Sequence, residues 1–193
     1  MGVCFVRTPV LPYLNFKNLT MNTLTKTRIK GIAAGLLASW IKSLAEPPLQ
    51  KLGEKEFPPT SDELKLRGAD VSRQPENMPP AILAQKVYYN ITHKPLSSEK
   101  TLQSMKIIHY TLGTLIGVGY VFAAHKNKNL TSGEGILAGA GVWMLTHGSV
   151  VPALQLQGKV SEMPKSWWIW EFGSHIIFGI GMEQSRKWMD KMF

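Results

Sequence analysis

Lys42, Glu46, His109, His147, Glu171 and His175 are six side chains able to hold or exchange a proton, and they stand in or beside sequence that is otherwise apolar. Lys42/Glu46 and Glu171/His175 are each spaced four residues apart, so on a helix the partners share one face and can share a hydrogen bond or a charge. A neighbouring carboxylate and burial move the proton affinity of an imidazole in opposite directions, which makes such a pair a candidate pH-sensitive element. The same pairs can also serve as polar glue between helices. His109, His147, His175 and Glu171 are donor types that zinc or iron would accept. Neither an HExxH nor a clustered HxxH pattern is present, however, and no metal or other cofactor is expected. Cys4, the lone cysteine, stands far from these residues, no serine sits in a nucleophile elbow, and the glycines do not spell a phosphate loop. The expectation is a protein that is not an enzyme.

The stretches that must position these groups are 29–45, 107–124, 135–151 and 167–183. A membrane-spanning helix needs about 20 apolar residues, with about 17 as the lower limit. Neither 107–124 nor 135–151 contains Lys, Arg, Asp or Glu. A soluble bundle built from such helices remains the alternative, but its helices would carry a charged face beside the apolar one. Inside a bilayer an ionisable side chain costs several kcal/mol and normally faces a partner, a cavity or a pathway. Gly31/Gly35, Gly113/Gly117 and Gly135/Gly139 repeat the small-xxx-small spacing that lets helices approach closely, within one chain or in a homo-oligomer. Trp167, Trp168, Trp170 and Trp188 flank the fourth stretch as an interfacial aromatic belt or an aromatic core would.

The net charge is +9, and the first 30 residues hold Arg7, Lys17, Lys26, Arg28 and Lys30 with no acidic residue. The connection 46–106 is almost balanced, with nine basic and eight acidic side chains. The positive-inside tendency therefore places both termini in the cytoplasm and the long connection outside. The basic balance records orientation and lipid contact, and no nucleic-acid partner is expected. Residues 1–26 read as an irregular arm without a cleavable signal, with Met21 as an alternative start, and 27–193 as a single membrane domain. The first helix is expected to stop at Pro47–Pro48, since proline lacks the amide hydrogen and restrains its predecessor. Within the connection, Ser61 to Leu64 offers a helix start and residues 81–92 an amphipathic helix along the membrane surface. Short turns near Asn127–Asn129 and from Gln157 to Lys165 imply antiparallel neighbours. The expected fold is all-α, an integral membrane antiparallel four-helix bundle with one long extracytoplasmic loop between its first two helices. In that topology all six ionisable residues fall within about 12 Å of the outer edge of the apolar layer. His125, Glu183 and Arg186 fall at the inner side as anchors.

The ordered set is similar to the YagU family of bacterial inner-membrane proteins, a domain of unknown function. The match lies in Gly31 and Gly35 with Lys42 and Glu46, then His109 with Gly119 and Tyr120. It continues through Gly135, Gly139, His147 and Pro152, and ends in Glu171, His175, Glu183 and Arg186. The resemblance implies a multi-pass protein of the bacterial inner (plasma) membrane with no assigned reaction. The leading functional expectation is a proton-responsive outer-half Lys/Glu/His cluster serving acid or envelope stress tolerance, with the lipid bilayer as partner. A transporter or channel subunit, a membrane metalloenzyme and a purely structural protein are the alternatives.

Overall fold

The computed structural model describes residues 22–70 and 72–192, so the arm before Asn22 and the alternative start at Met21 lie outside the described residues. Helix α1 (Thr23–Glu56) is capped at its start by Asn22, whose Oδ1 accepts the Thr25 amide at 2.8 Å. Helix α2 (Pro79–Thr92) and helix α3 (Ser98–Lys126) follow. Helix α4 (Ile136–Leu145) runs through a π turn (Thr146–Val150) into the single-turn α5 (Val151–Ala153). The short α6 (Lys165–Trp167) passes through a second π turn (Trp168–Phe172) into α7 (Gly173–Asp190). The described residues are helical, turn or irregular, with no strand among them.

Several boundaries differ from the expectations. The irregular arm ends by Asn22, since Thr23 to Lys26 already belong to α1. That helix does not stop at Pro47–Pro48 but carries both prolines inside it as far as Glu56. Both rings sit on the exposed side, and the buried side of the same segment holds the helix in place. Gln50 Nε2 donates to Glu54 Oε1 at 2.7 Å and to Asp70 Oδ1 at 3.2 Å, and Gly53 lies against the backbone of Ser166. Tertiary packing thus outweighs two missing helix rungs. Helix α3 begins at Ser98 and not at Ile107, because Ser97 supplies an extended cap and Thr101 is already buried. The connection is consequently much shorter than 46–106, and it is built up by α2 and by a 3₁₀ turn (Glu63–Lys65).

Packing order also departs from chain order. Helix α1 lies between α3 and α7, and α4 packs on the far side of α7; α3 and α4 have almost no direct packing although a short turn joins them. The glycines explain this. A Cβ at Gly35 or Gly117 would run into the backbone of the opposite helix, Gly113 and Thr114 in one case and Gly31 and Gly35 in the other. Gly139 meets the His175 carbonyl in the same way, and Gly135 meets that of Gly179 while also holding φ at 95°. The three glycine pairs therefore work as two intramolecular seams, α1 on α3 and α4 on α7, with Gly179 as the partner of the second. The neighbours are set by which faces lack side chains, and only secondarily by loop length.

Two helical segments, Ser98–Lys126 and Lys128–Ala153, are long and apolar enough to cross a membrane, and little of either is buried inside the fold. Leu112, Leu115, Leu137, Met144 and Leu145 are all exposed. The core proper, formed by Ala34, Ala38, Tyr120, Val121, Phe178 and Met182, lies where α1, α3 and α7 meet.

Candidate functional site

The carboxyl group of Glu171 is the centre of a buried polar layer. It sits in the second π turn, a winding that widens the helix by one residue per turn and often marks functional positions. Glu171 is 1% exposed, and three basic groups surround its Oε1: His175 Nδ1 at 3.1 Å, His147 Nε2 at 3.3 Å and Lys42 Nζ at 3.6 Å. Lys42 donates to Glu46 as well, one turn further along α1. His147 comes from the other π turn, so both distorted turns deliver a side chain to one point. The His147 and His175 rings lie edge to face with centroids 5.1 Å apart.

Each imidazole is oriented by a second contact. His175 Nδ1 lies 2.8 Å from the backbone oxygen of Glu171, and His147 Nδ1 lies 2.5 Å from Oε1 of Gln157. Trp167, fully buried, lies edgewise to His147 at 6.2 Å and tilted against Trp143 at 6.1 Å, so the layer backs onto an indole cluster. Lys42, Glu46, His147, Glu171 and His175 are thus brought together. His109 is not in contact with the carboxylates: its Nε2 faces the Ser39 carbonyl at 3.4 Å, and its ring lies edgewise on Tyr110. A cleft of about 400 Å³ leads from the surface to the layer, lined by Glu46, Met78, Met105, His109, His147 and Glu171 among others.

Beside its two imidazoles, this layer sets one ammonium, Lys42, against two carboxylates, Glu46 and Glu171. Among the described residues no donor reaches Glu171 Oε1 with hydrogen-bond geometry, despite the three nitrogens around it. A buried carboxylate in that condition is strongly disfavoured unless a further positive charge joins it. His147, Glu171 and His175 also lie close enough to hold a metal ion. Against that use, His175 Nδ1 is occupied by a backbone carbonyl and the Lys42 ammonium already approaches the shared carboxylate oxygen.

At the other end of the same helices lies a second polar group, absent from the candidate cluster except through its anchors. Glu183, fully buried, accepts from Tyr120 Oη at 2.7 Å and from Arg186 Nε and Nη2 at 2.8 and 2.7 Å. Asp190 joins Arg186 at 2.6 Å to Lys30 at 2.7 Å. Three contributors escaped the sequence reading: Gln157, in a turn with no periodic signal; Trp167 as a neighbour of His147; and Gly179. Only Gly179 carried a usable signal, since it stands eight residues after Glu171 on the helix that the other glycines must face.

Fold and site together define a helical protein with two apolar segments of membrane-crossing length and a buried Lys/Glu/His layer reached by a cleft. Residues 48–184 match the family described as a protein of unknown function, DUF1440, and the chain belongs to that family. No curated protein and no solved structure matches the chain.

Proposed function

We propose that this chain is a multi-pass protein of the bacterial inner membrane whose Glu171-centred layer binds and releases a proton from the outer side, in the service of acid or envelope stress tolerance. The observation that carries the reading is the layer's charge deficit: Glu171 Oε1 lies within 3.6 Å of three basic nitrogens, yet one ammonium stands against two carboxylates. One added proton, held on His147, His175 or a carboxylate, neutralises the layer. The exposed apolar faces of α3 and α4 support a bilayer as the surrounding medium, as does the resemblance to the YagU pattern. With α1 and α7 also crossing, both termini lie in the cytoplasm and the cleft opens outward. The protein acts by binding and not by catalysis. Phe178 and Met182 fill the space between the outer layer and Glu183, so a transporter would need a second conformation opening that block.

An imidazolium quenches a neighbouring indole, and His147 lies beside Trp167. Tryptophan fluorescence of the purified protein should therefore fall as the layer takes up its proton on acidification. Glu171→Gln and His147→Phe should flatten that curve; an unchanged curve in both would remove the proton reading. For the physiological role, survival at low pH should drop in a deletion strain and remain low with Glu171→Gln or His175→Ala. Indifference of growth to all three would eliminate the stress role.

A further inference from the structure

We infer that the cleft is a binding site for a small organic ammonium ion, a primary amine on an apolar body, which takes the place of the proton at the Glu171 layer. The inference rests on the proton reading of the same layer and adds the class of ligand that competes with it.

The chemistry of the cleft has two parts. Its deep end presents carboxylates from two helical segments, Glu46 and Glu171, with the ammonium of Lys42 between them. One ammonium between two carboxylates leaves a negative end, and an N–H donor carrying positive charge offsets it. Its walls are apolar: Pro75, Met78, Pro79 and Met105, with the Tyr110 ring beside them. Methionine adapts to varied apolar shapes, and an aromatic ring tolerates a nearby cation. The volume of about 400 Å³ is within the usual range for small-molecule sites, so an ion larger than ammonium itself is accommodated. An anion is the worse fit, because the buried cation of the cleft, Lys42, is already paired with Glu46 and Glu171.

Binding and protonation are linked because both correct the same imbalance. The groups facing Glu171 are Lys42 and Glu46 from α1, His147 from the π turn after α4, and His175 from α7; His109 of α3 and the exposed Lys106 line the cleft itself. The ammonium ion enters with its charge, one proton leaves the layer for water, and the layer's net charge is unchanged.

Benzylamine is a suitable probe and benzyl alcohol its uncharged counterpart, each titrated calorimetrically into the full-length protein in lipid nanodiscs. Benzylamine should bind saturably, and its affinity should rise by up to about tenfold per pH unit while the layer holds a proton. The dependence of the binding heat on buffer ionisation should report about one proton released per amine. Glu171→Gln should abolish binding. Met105→Trp, which fills the cleft wall without touching the layer, should abolish binding while the pH-dependent fluorescence persists. A protein that keeps its fluorescence titration but binds no benzylamine overturns the amine site and leaves the proton reading standing. Equal binding of benzyl alcohol, pH-independent affinity, or unaltered binding by Met105→Trp would each overturn it too.

Discussion

The second π turn and the helix α7 that continues it carry two buried glutamates, Glu171 and Glu183, which at about 1.5 Å per residue stand about 18 Å apart and face opposite circumstances. Helices α1 and α3 contribute to both levels. Lys30 and Tyr120 belong to the Glu183 level, inner in the proposed topology, and Lys42 and His109 to the Glu171 level, outer in it. At the inner level Lys30 and Arg186 balance Glu183 and Asp190, and both oxygens of Glu183 accept hydrogen bonds. At the outer level the positive charges are one short and a buried oxygen lacks a donor. The same helices thus build one level that is complete as it stands and one that is completed only by something from outside. A fold that needed polar glue alone would gain nothing from leaving the second level unfinished, and it is the unfinished level that has the cleft.

The sharpest way to break this contrast is to remove the two carboxylates in turn. Glu183→Ala strips Arg186 and Tyr120 of their shared partner in a fully buried position, and breaking such a pair typically costs about 3 kcal/mol or more. The expected outcome is a large fall in thermal midpoint, or loss of folded protein in the membrane fraction. If Glu183→Ala were as stable as the parent, the inner level would not be the structural one.

Glu171→Gln should act differently although Glu171 is almost equally buried. The substitution leaves Lys42 paired with Glu46, removes the surplus negative charge and keeps the shape, so stability should stay within about 1 kcal/mol of the parent. Differential scanning fluorimetry on both variants measures the two effects together. Equal losses would reduce the outer layer to packing.

How much of this contrast was legible in the residues depends on which physical rule governs each part. Antiparallel alternation and rise per residue suggested a common level for Lys42, Glu46, His109, His147, Glu171 and His175, an argument insensitive to small errors in boundaries. Their convergence did not follow. It depends on two π turns, each shifting the register of the helix beyond it, and no spacing pattern marks a π turn in advance. His109 shows the limit: it lines the cleft but faces a backbone carbonyl instead of a carboxylate. The helix neighbours were misjudged because short turns suggested that α3 and α4 pack together, whereas glycine faces paired α3 with α1 and α4 with α7. Pro47–Pro48 were misjudged for a similar reason, since contacts to Asp70 and Ser166, remote in sequence, keep α1 helical through them.

A last substitution separates the outer layer from other acid-sensitive groups on the same side. In the connection, Glu63 Oε2 accepts the Thr60 amide at 2.7 Å and the Thr60 hydroxyl at 2.9 Å, and Thr60 Oγ1 in turn accepts the Glu63 amide at 3.2 Å, a reciprocal cap. The Thr60 amide, with its hydroxyl, holds the Glu63 carboxyl below its ordinary value of 4.5. A carboxylate depressed on folding contributes stability that is present above the ordinary value and is lost as pH falls through the lower folded one. Its transition therefore lies below about pH 4.5. Glu63→Gln should leave the fluorescence titration of the Glu171 layer in place and move the thermal midpoint by no more than about 2 °C at neutral pH. A fluorescence curve displaced by Glu63→Gln would assign the acid response to the cap of the connection, and the difference between the two glutamate levels of α7 would no longer concern protons.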